Sequence, residues 1–457
     1  MSRAAQPPRV GLLTLGCARN LVDSEVALGG LLKAGYGYAP DVKRADIAVI
    51  NTCAFTESAK KESIDAILEL VELKKKNKIR SIVVMGCLSQ RYGTELSKDI
   101  SELDVVVGTD SFGGLAGVLE PLRLSHISGE HAATVAVTPR PQFLLDQFSP
   151  RKSLTPDHTC YIKISEGCLN ACSYCAIPSM KGRHRSRTIE DILAEALDRA
   201  KTGKLREINL IGQDTAAFGF DRGRVFELPN LLDRLARELP TVWIRPLYAH
   251  PAHVTPELVE VFGKHDNICR YLDLPIEHSH PDMLKRMNRG VSRETMDAVI
   301  RDFRRIPDMV LRTAVIVGFP GETEAEFEDL LDYMRDIKFE RLGAFTYSRE
   351  EGTRAFAMES QISDELKQER FKRVMEVQES ITADWNASRI GRTIPVLIDE
   401  KASEKDLWIG RSSADAPEVD GEVLVRSRTP LKIGQFVDAL VTDAMDHDLF
   451  ADAKTDR

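Results

Sequence analysis

The chain of 457 residues is 43% hydrophobic with a net charge of −8; it is long enough for two to four domains with real cores, and its acidic field repels polyanions and attracts basic partners. Its eight cysteines are too sparse for a disulfide framework, the start MSRAAQPPRV has no apolar signal region, and no apolar run approaches the roughly 20 residues that span a bilayer. A secreted scaffold and a membrane protein are excluded on these grounds, and a cytoplasmic chain with reduced thiols available to iron is expected.

Three strand-like runs of one form open the chain: residues 10–16 end at Cys17, residues 47–52 at Cys53, and residues 82–86 at Cys87. Between them lie helical patterns such as Ile64, Ile67, Leu68 and Val71 at i, i+3, i+4 and i+7. This β-α-β order predicts a doubly wound parallel sheet over residues 9–145, with every strand's C-terminal end on one edge. Cysteines from three separate loops then converge, which is the geometry a three-thiolate cluster requires. One cysteine after a strand is ordinarily a small buried residue; three at equivalent positions are hard to explain that way. The basic run Lys74, Lys75, Lys76, Lys78 and Arg80 falls at a helix C-terminus, where it complements the dipole, and reads as a solvated end.

Residues 146–158 are polar with two prolines and read as a linker. The second domain, 158–388, opens with a β-branched run at 160–166, followed by Cys168, Cys172 and Cys175 in C-x3-C-x2-C spacing. A capping-box pattern from Thr188 to Asp191 then starts a helix with Ile189, Ile192, Leu193, Ala196 and Leu197 on one face. The three thiols thus leave the C-terminal end of a strand, where α/β folds place their chemistry. Structural zinc takes four closed ligands, whereas three thiolates on a cubane [4Fe–4S] cluster leave one iron open to a small molecule. On spacing alone, a partial zinc site or three reduced thiols remain alternative readings.

Further strand candidates at 207–212, 241–248, 270–275, 311–318 and 340–347 alternate with helices, the clearest carrying Phe327, Leu330, Leu331, Met334 and Ile337 on one face. Six units of about 35 residues suit a partial (β/α) barrel, open on one side for a large substrate. At the strand ends, Gln213 and Asp214 offer an amide and a carboxylate to a cofactor, and the glycines of 317–322 would let backbone approach an adenine. His250, His253, His278 and His280 read as loop histidines beside prolines, and Cys160 and Cys269 as buried strand residues. Lys181, Arg183, Arg185 and Arg187 form a candidate anion-binding rim, with a solvated face as the alternative. Residues 363–390 form a long charged helix ended by Gly391. Short strands at 393–398, 421–425 and 435–441 then suit a small antiparallel β-barrel over 391–457. That tail holds 9 Lys+Arg against 14 Asp+Glu, which suits a basic protein partner better than phosphate.

Residues 15–20 (LGCARN), Val22-Asp23-Ser24-Glu25, Asn51-Thr52-Cys53 and Gly86-Cys87 resemble the amino-terminal domain of the methylthiotransferases. The three-cysteine loop, with Tyr174 before its last cysteine, resembles the radical S-adenosylmethionine (SAM) motif, and the tail resembles a TRAM barrel. Residues 163–168 (KISEGC), 177–180 (IPSM) and 410–421 (GRSSADAPEVDG) are similar to the ribosomal, RimO-like branch. One departure is Glu277, where the family pattern has Gln before His278.

The resemblance implies an α/β chain with an N-terminal doubly wound domain, a central radical SAM partial barrel and a TRAM barrel. It implies two [4Fe–4S] clusters, one on Cys168, Cys172 and Cys175 and an auxiliary one on Cys17, Cys53 and Cys87. Tyr174, Gln213 and Asp214 are the expected cofactor contacts. Two SAM molecules are implied, one as radical source and one as methyl donor, along with an electron donor and a sulfur source. The implied reaction replaces an unactivated C–H by C–S at the β-carbon of an aspartate in small-subunit ribosomal protein S12. Two other readings differ in what they require. A tRNA-adenosine methylthiotransferase calls for a basic tail, so tRNA is not the expected partner. A non-catalytic iron–sulfur ribosome-binding factor would consume no SAM, and structural clusters normally use four ligands.

Overall fold

The computed structural model describes residues 7–125 and 134–454. Its first sheet contains β1 (Arg9–Thr14), β2 (Gly37–Tyr38), β3 (Ile47–Thr52), β4 (Ser81–Gly86), β5 (Val105–Val107) and β6 (Thr134–Ala136). All are parallel, in the order β2-β1-β3-β4-β5-β6. The helices are α1 (Ala18–Lys33), α2 (Glu57–Lys75), α3 (Cys87–Asp99) and α4 (Leu115–Ser125). The period of two along each strand decides which helices its faces meet. Ile47, Val49, Val83 and Met85 pack with Ala27 and Leu31 of α1 and Leu115 and Leu119 of α4. Ala48, Ile50, Ile82 and Val84 pack with Ile67 and Leu70 of α2 and Leu88 and Leu96 of α3. The strand order reverses between β1 and β3, so Cys17 and Cys53 follow the two strands that flank the switch point, where open sheets leave a crevice.

Two local expectations change. Lys74, expected in a solvated end, turns back to Asp104 at 2.6 Å, and Lys75 reaches Glu102 at 3.1 Å. The 146–158 segment is a strap rather than a free linker. Glu25 of α1 is fully buried and accepts hydrogen bonds from Arg151 Nε and the Leu154 N–H, both at 2.6 Å, while Arg151 also pairs with Glu195 at 2.7 Å. A buried carboxylate requires such partners, and the strap supplies them.

The second domain runs β7 (Thr159–Lys163), the short ribbon β8 (Ser165–Glu166) with β9 (Arg185–Ser186), then β10 (Glu207–Ile211), β11 (Trp243–Pro246), β12 (Tyr271–Asp273), β13 (Val310–Val317) and β14 (Arg341–Thr346). Two parallel three-stranded sheets, β11-β10-β7 and β12-β13-β14, meet through an Ile244–Ile268 bridge and make the six-stranded partial barrel. Ile162, Ile208, Ile244, Leu272 and Leu311 share one core with helix residues such as Ile192, Leu231, Phe262 and Leu330. The long helix is Asp364–Ala387, slightly shorter than expected, and Gly391 takes φ +83 before the tail begins.

The tail is a closed barrel, β15-β16-β17-β19-β18, with β15 (Thr393–Lys401), β16 (Leu407–Ser412), β17 (Val423–Arg426), β18 (Phe436–Ala444) and β19 (Leu449–Ala453). Strands β16 and β19 add to the three expected, and β17 pairs with β19 in parallel, so the barrel is not purely antiparallel. The loop after β16 inserts under the partial barrel, at the N-terminal ends of its strands. There Arg245 donates to Ser413 O at 2.8 Å, the Tyr271 hydroxyl donates to Asp420 at 2.6 Å, and Arg341 pairs with Asp415 at 2.6 Å. Among the described residues no helix is long and apolar enough to cross a membrane. Asp415→Ala strands the buried Arg341 guanidinium, and the expected loss is about 3 kcal/mol of unfolding free energy, read from the denaturant midpoint.

Candidate functional site

Backbone geometry brings the first three cysteines together. Gly86 stands at φ +105, and a Cβ there would collide with Asn51 Oδ1 and Thr52 O, so only glycine turns β4 into Cys87 at the start of α3. Asn20 Nδ2 donates to Leu15 O at 2.9 Å and Thr52 O at 3.1 Å; Asn51 Nδ2 donates to Asn20 O at 2.8 Å; Thr52 Oγ1 donates to Met85 O at 2.7 Å. These side-chain bonds tie the three loops to one another. Cys17, Cys53 and Cys87 line one cavity of about 770 Å³ between the first and second domains.

Their thiols differ. Burial raises the Cys17 thiol, but the Arg19 guanidinium, with Nε 3.4 Å from Sγ, and nearby backbone donors bring it below its ordinary value. Burial pushes Cys53 up, and pushes Cys87 up to about 12 against the pull of the Lys181 ammonium. Thiols buried in this way keep their protons until a metal displaces them.

The second trio lies on the loop between β8 and α5 (Ile177–Lys181). Gly167, at φ +76, leaves no room for a Cβ against the Arg183 carbonyl. Each sulfur receives a protein donor: the Asn170 N–H at 3.4 Å from Cys168 Sγ, Arg289 Nη1 at 3.5 Å from Cys172 Sγ, and the Ile177 N–H at 3.4 Å from Cys175 Sγ. Burial raises Cys168 to about 11 and Cys175 to about 12. Ile177, whose N–H points at Cys175 Sγ, also lines the cavity of the first trio, whereas Cys168, Cys172 and Cys175 do not line it. Among the described residues, His280, Asp282 and Glu326 have ligand atoms within 4.8 Å of one another. Neither cysteine trio is drawn in that tightly; the sulfurs on a single zinc sit roughly 3.8 Å apart, given Zn–S near 2.3 Å. Glu326 itself caps the Thr323 helix start and pairs with Arg286 at 2.7 Å.

The expected cofactor contacts fare differently. Tyr174 packs on Met283, Met287, Phe319 and Tyr347, beside Glu277 and Arg289. Gln213 lines the cavity; its Nε2 donates to Glu166 at 2.6 Å, while its Oε1 is buried without a protein partner. Asp214 is fully engaged by the protein: Asn170 Nδ2 at 2.9 Å, the His250 N–H at 3.2 Å and His253 Nδ1 at 2.6 Å. Burial opposes its charge, but the His253 bond and the two histidines bring it down to about 2. Asp214 therefore steadies the Cys168 loop through Asn170. In the 317–322 stretch, the Lys367 side chain approaches Gly318 and Phe319 is buried, while Gly321 faces open space. Three members of the basic rim are taken up by the protein: Lys181 pairs with buried Asp23, Arg187 with Asp191 and Glu195, and Arg185 with backbone carbonyls, while Arg183 stays exposed. Three of the loop histidines cap turns, His250 for the Ala252 N–H, His278 for Ser279 and His280 for Asp282.

The chain matches the uncharacterized protein family UPF0004 over residues 9–108, the Radical SAM superfamily over 162–334 and the TRAM domain over 390–453. It is 45% identical over 440 residues to the ribosomal protein uS12 methylthiotransferase RimO of Thermoanaerobacter sp., covering 96% of this chain and 98% of that one. The chain belongs to the RimO methylthiotransferase family. The RimO protein of Desulforamulus reducens is 44% identical, over 97% of this chain and 99% of its own. Among solved structures, the radical SAM methyltransferase TsrM of Kitasatospora setae superposes with a TM-score of 0.55 at 15% identity, over 74% of this chain and 75% of that one, a likeness of fold. Membership carries iron–sulfur and SAM use with it, and the Cys168 loop has the donor set such a cluster takes. In this RimO-family site the motifs 15–20 and 163–168 contain Arg19 and Lys163 without giving either a role, and Arg289, which meets Cys172 from 117 residues away, carries no local signal.

The acid sensitivity of this site has a definite sign. Burial holds His250 neutral, with its value down at about 3 from an ordinary 6.5, so the unfolded chain binds a proton first as pH falls. Its contribution is complete above pH 6.5 and is lost as pH drops toward 3. Asp214 adds a loss as pH falls from 3.8 through about 2. His250→Asn is expected to flatten the decline of the urea midpoint between pH 6.5 and 3, measured by equilibrium unfolding at a series of pH values.

Proposed function

We propose that this chain is a radical SAM methylthiotransferase that adds a methylthio group to the β-carbon of an aspartate in ribosomal protein uS12, using two [4Fe–4S] clusters. The carrying observation is the pair of three-thiol sets, each one ligand short of four, linked by Ile177, which bonds Cys175 and lines the cavity that Cys17, Cys53 and Cys87 share. Cys168, Cys172 and Cys175 would hold one cluster and Cys17, Cys53 and Cys87 the other. When bound, the first supplies the electron that cleaves SAM to a radical able to abstract hydrogen, and the second supplies an open iron for sulfur.

The protein's own residues do the rest. Gln213 Oε1 offers SAM a free acceptor, and Tyr174 packs beside the last cysteine. Phe55 and Phe345, 47% and 48% exposed on the cavity wall, give an entering peptide loop apolar surface and limit water around the reacting carbon. The acidic tail suits a basic ribosomal protein and disfavours tRNA. A one-electron donor and a sulfur source come from outside the chain, and a ribosomal substrate implies the cytoplasm.

The test is anaerobic mass spectrometry with reconstituted protein, SAM, reductant and sulfide, offering a uS12 peptide and an anticodon stem-loop RNA together. A methylthio gain on the peptide aspartate is expected; a gain on the RNA overturns the substrate. Absence of both product and 5′-deoxyadenosine overturns the enzyme reading. Cys168→Ala is expected to abolish 5′-deoxyadenosine. Cys17→Ala is expected to keep it while losing the methylthio product, so product from Cys17→Ala would refute the division of roles.

A further inference from the structure

Four charged side chains are sealed between the first two domains. Lys163, the last residue of β7, pairs with Asp23 of α1 and with Glu166 of β8, the latter at 2.7 Å. Lys181, which ends α5, reaches Asp23 at 2.8 Å and Glu166 at 3.9 Å. None of the four side chains is more than 7% exposed. Two cations balance two anions, so the group needs no outside partner to be buried.

Lys181 is the member that reaches beyond the group. It lines the cavity together with Cys17, Cys53 and Cys87, and it is the charged group that acts most strongly on Cys87. A second buried cation shares that wall. Arg19 places Nε 3.4 Å from Cys17 Sγ and donates Nη1 to Gly212 O at 3.0 Å, its guanidinium stacked 4.5 Å from the Tyr248 ring centroid. Among the described residues no carboxylate lies at ion-pair distance from Arg19. Three thiolates on a dicationic [4Fe–4S] core leave a net negative charge, which repels any further anion. Arg19 counters that repulsion with a charge that no paired carboxylate cancels, while Lys181, its charge balanced within the group, lines the same cavity with its ammonium donors.

We propose that Lys181 and Arg19 bind the anionic sulfur species, hydrosulfide or methanethiolate, delivered to the open iron over Cys17, Cys53 and Cys87. Asp23, Lys163 and Glu166 act as positioning residues that hold the Lys181 ammonium at the cavity wall. The inference rests on the two-cluster reading above.

The experiment uses full-length reconstituted protein with iron content measured first, then titrates hydrosulfide and follows the EPR signal of the reduced auxiliary cluster. Lys181→Met and Arg19→Gln are each expected to weaken hydrosulfide binding about tenfold or more, as loss of one charged hydrogen-bond donor implies. Lys181→Arg is expected to restore it. Imidazole, a neutral iron ligand, is expected to bind wild type and variants alike, which separates anion binding from structural damage. Unchanged hydrosulfide affinity in a variant that holds both clusters overturns the proposal, as does an equal loss for imidazole. Wild-type protein with iron for one cluster overturns the reading beneath it, and is told apart by the iron content alone.

Discussion

Two lysines and two carboxylates buried between α1 and the partial barrel fix how the two α/β domains meet. Lys163, Asp23, Glu166 and Lys181 have no water to fall back on, and removing one strands its partners at a cost of about 3–5 kcal/mol. A slide of one sheet edge past the other would break the whole group together. The far side of the cavity has its own clamp. Glu350, 2% exposed, accepts Arg91 at 2.7 Å and Lys60 at 3.2 Å from the first domain, and the Glu57 N–H donates to Ser348 Oγ at 3.1 Å. Held on both sides, the cavity keeps the two cysteine trios in a constant relation, which suits chemistry that must bring a sulfur and a carbon radical together.

The partial barrel divides its ends by role. Its C-terminal strand ends carry the cysteine loop, Gln213 and the turns around Asp214, while its N-terminal ends are plugged by the loop that follows β16. Arg245, Tyr271 and Arg341 on the strands meet Ser413, Asp420 and Asp415 on that loop. Trp243 packs against Phe436 of the tail with ring centroids 4.6 Å apart, and Asn386 of the long helix donates to the Met445 carbonyl at 3.1 Å. The tail is therefore part of the barrel's structure as well as an acidic surface.

Much of this was legible in the sequence because it depends on local pattern. Strands β3 and β4 are buried on both faces and read as unbroken apolar runs. Cysteines directly after strands must gather on one edge once the sheet is parallel, so their convergence follows from topology. What stayed hidden depends on distant partners. Lys181 looked like one member of a basic surface run, yet its partner Asp23 lies 158 residues away. Asp214 looked free to meet a cofactor until the histidines of a later loop folded onto it. The 146–158 segment looked like a linker because composition cannot reveal that buried Glu25 needs Arg151. Strands β16 and β19 were missed because each holds only a short apolar run, Leu407 to Ile409 and Leu449 to Ala451, and is fixed by its pairing with other barrel strands.

The central claim is that the two cysteine trios hold two clusters close together at the interdomain cavity, and EPR of the fully reduced protein tests it most directly. Two paramagnetic clusters held that close interact magnetically. The spectrum of the intact protein should then differ, by broadening and faster relaxation, from the sum of the spectra of variants that keep only one trio each. A spectrum equal to that sum, with iron for both clusters confirmed, would contradict that proximity.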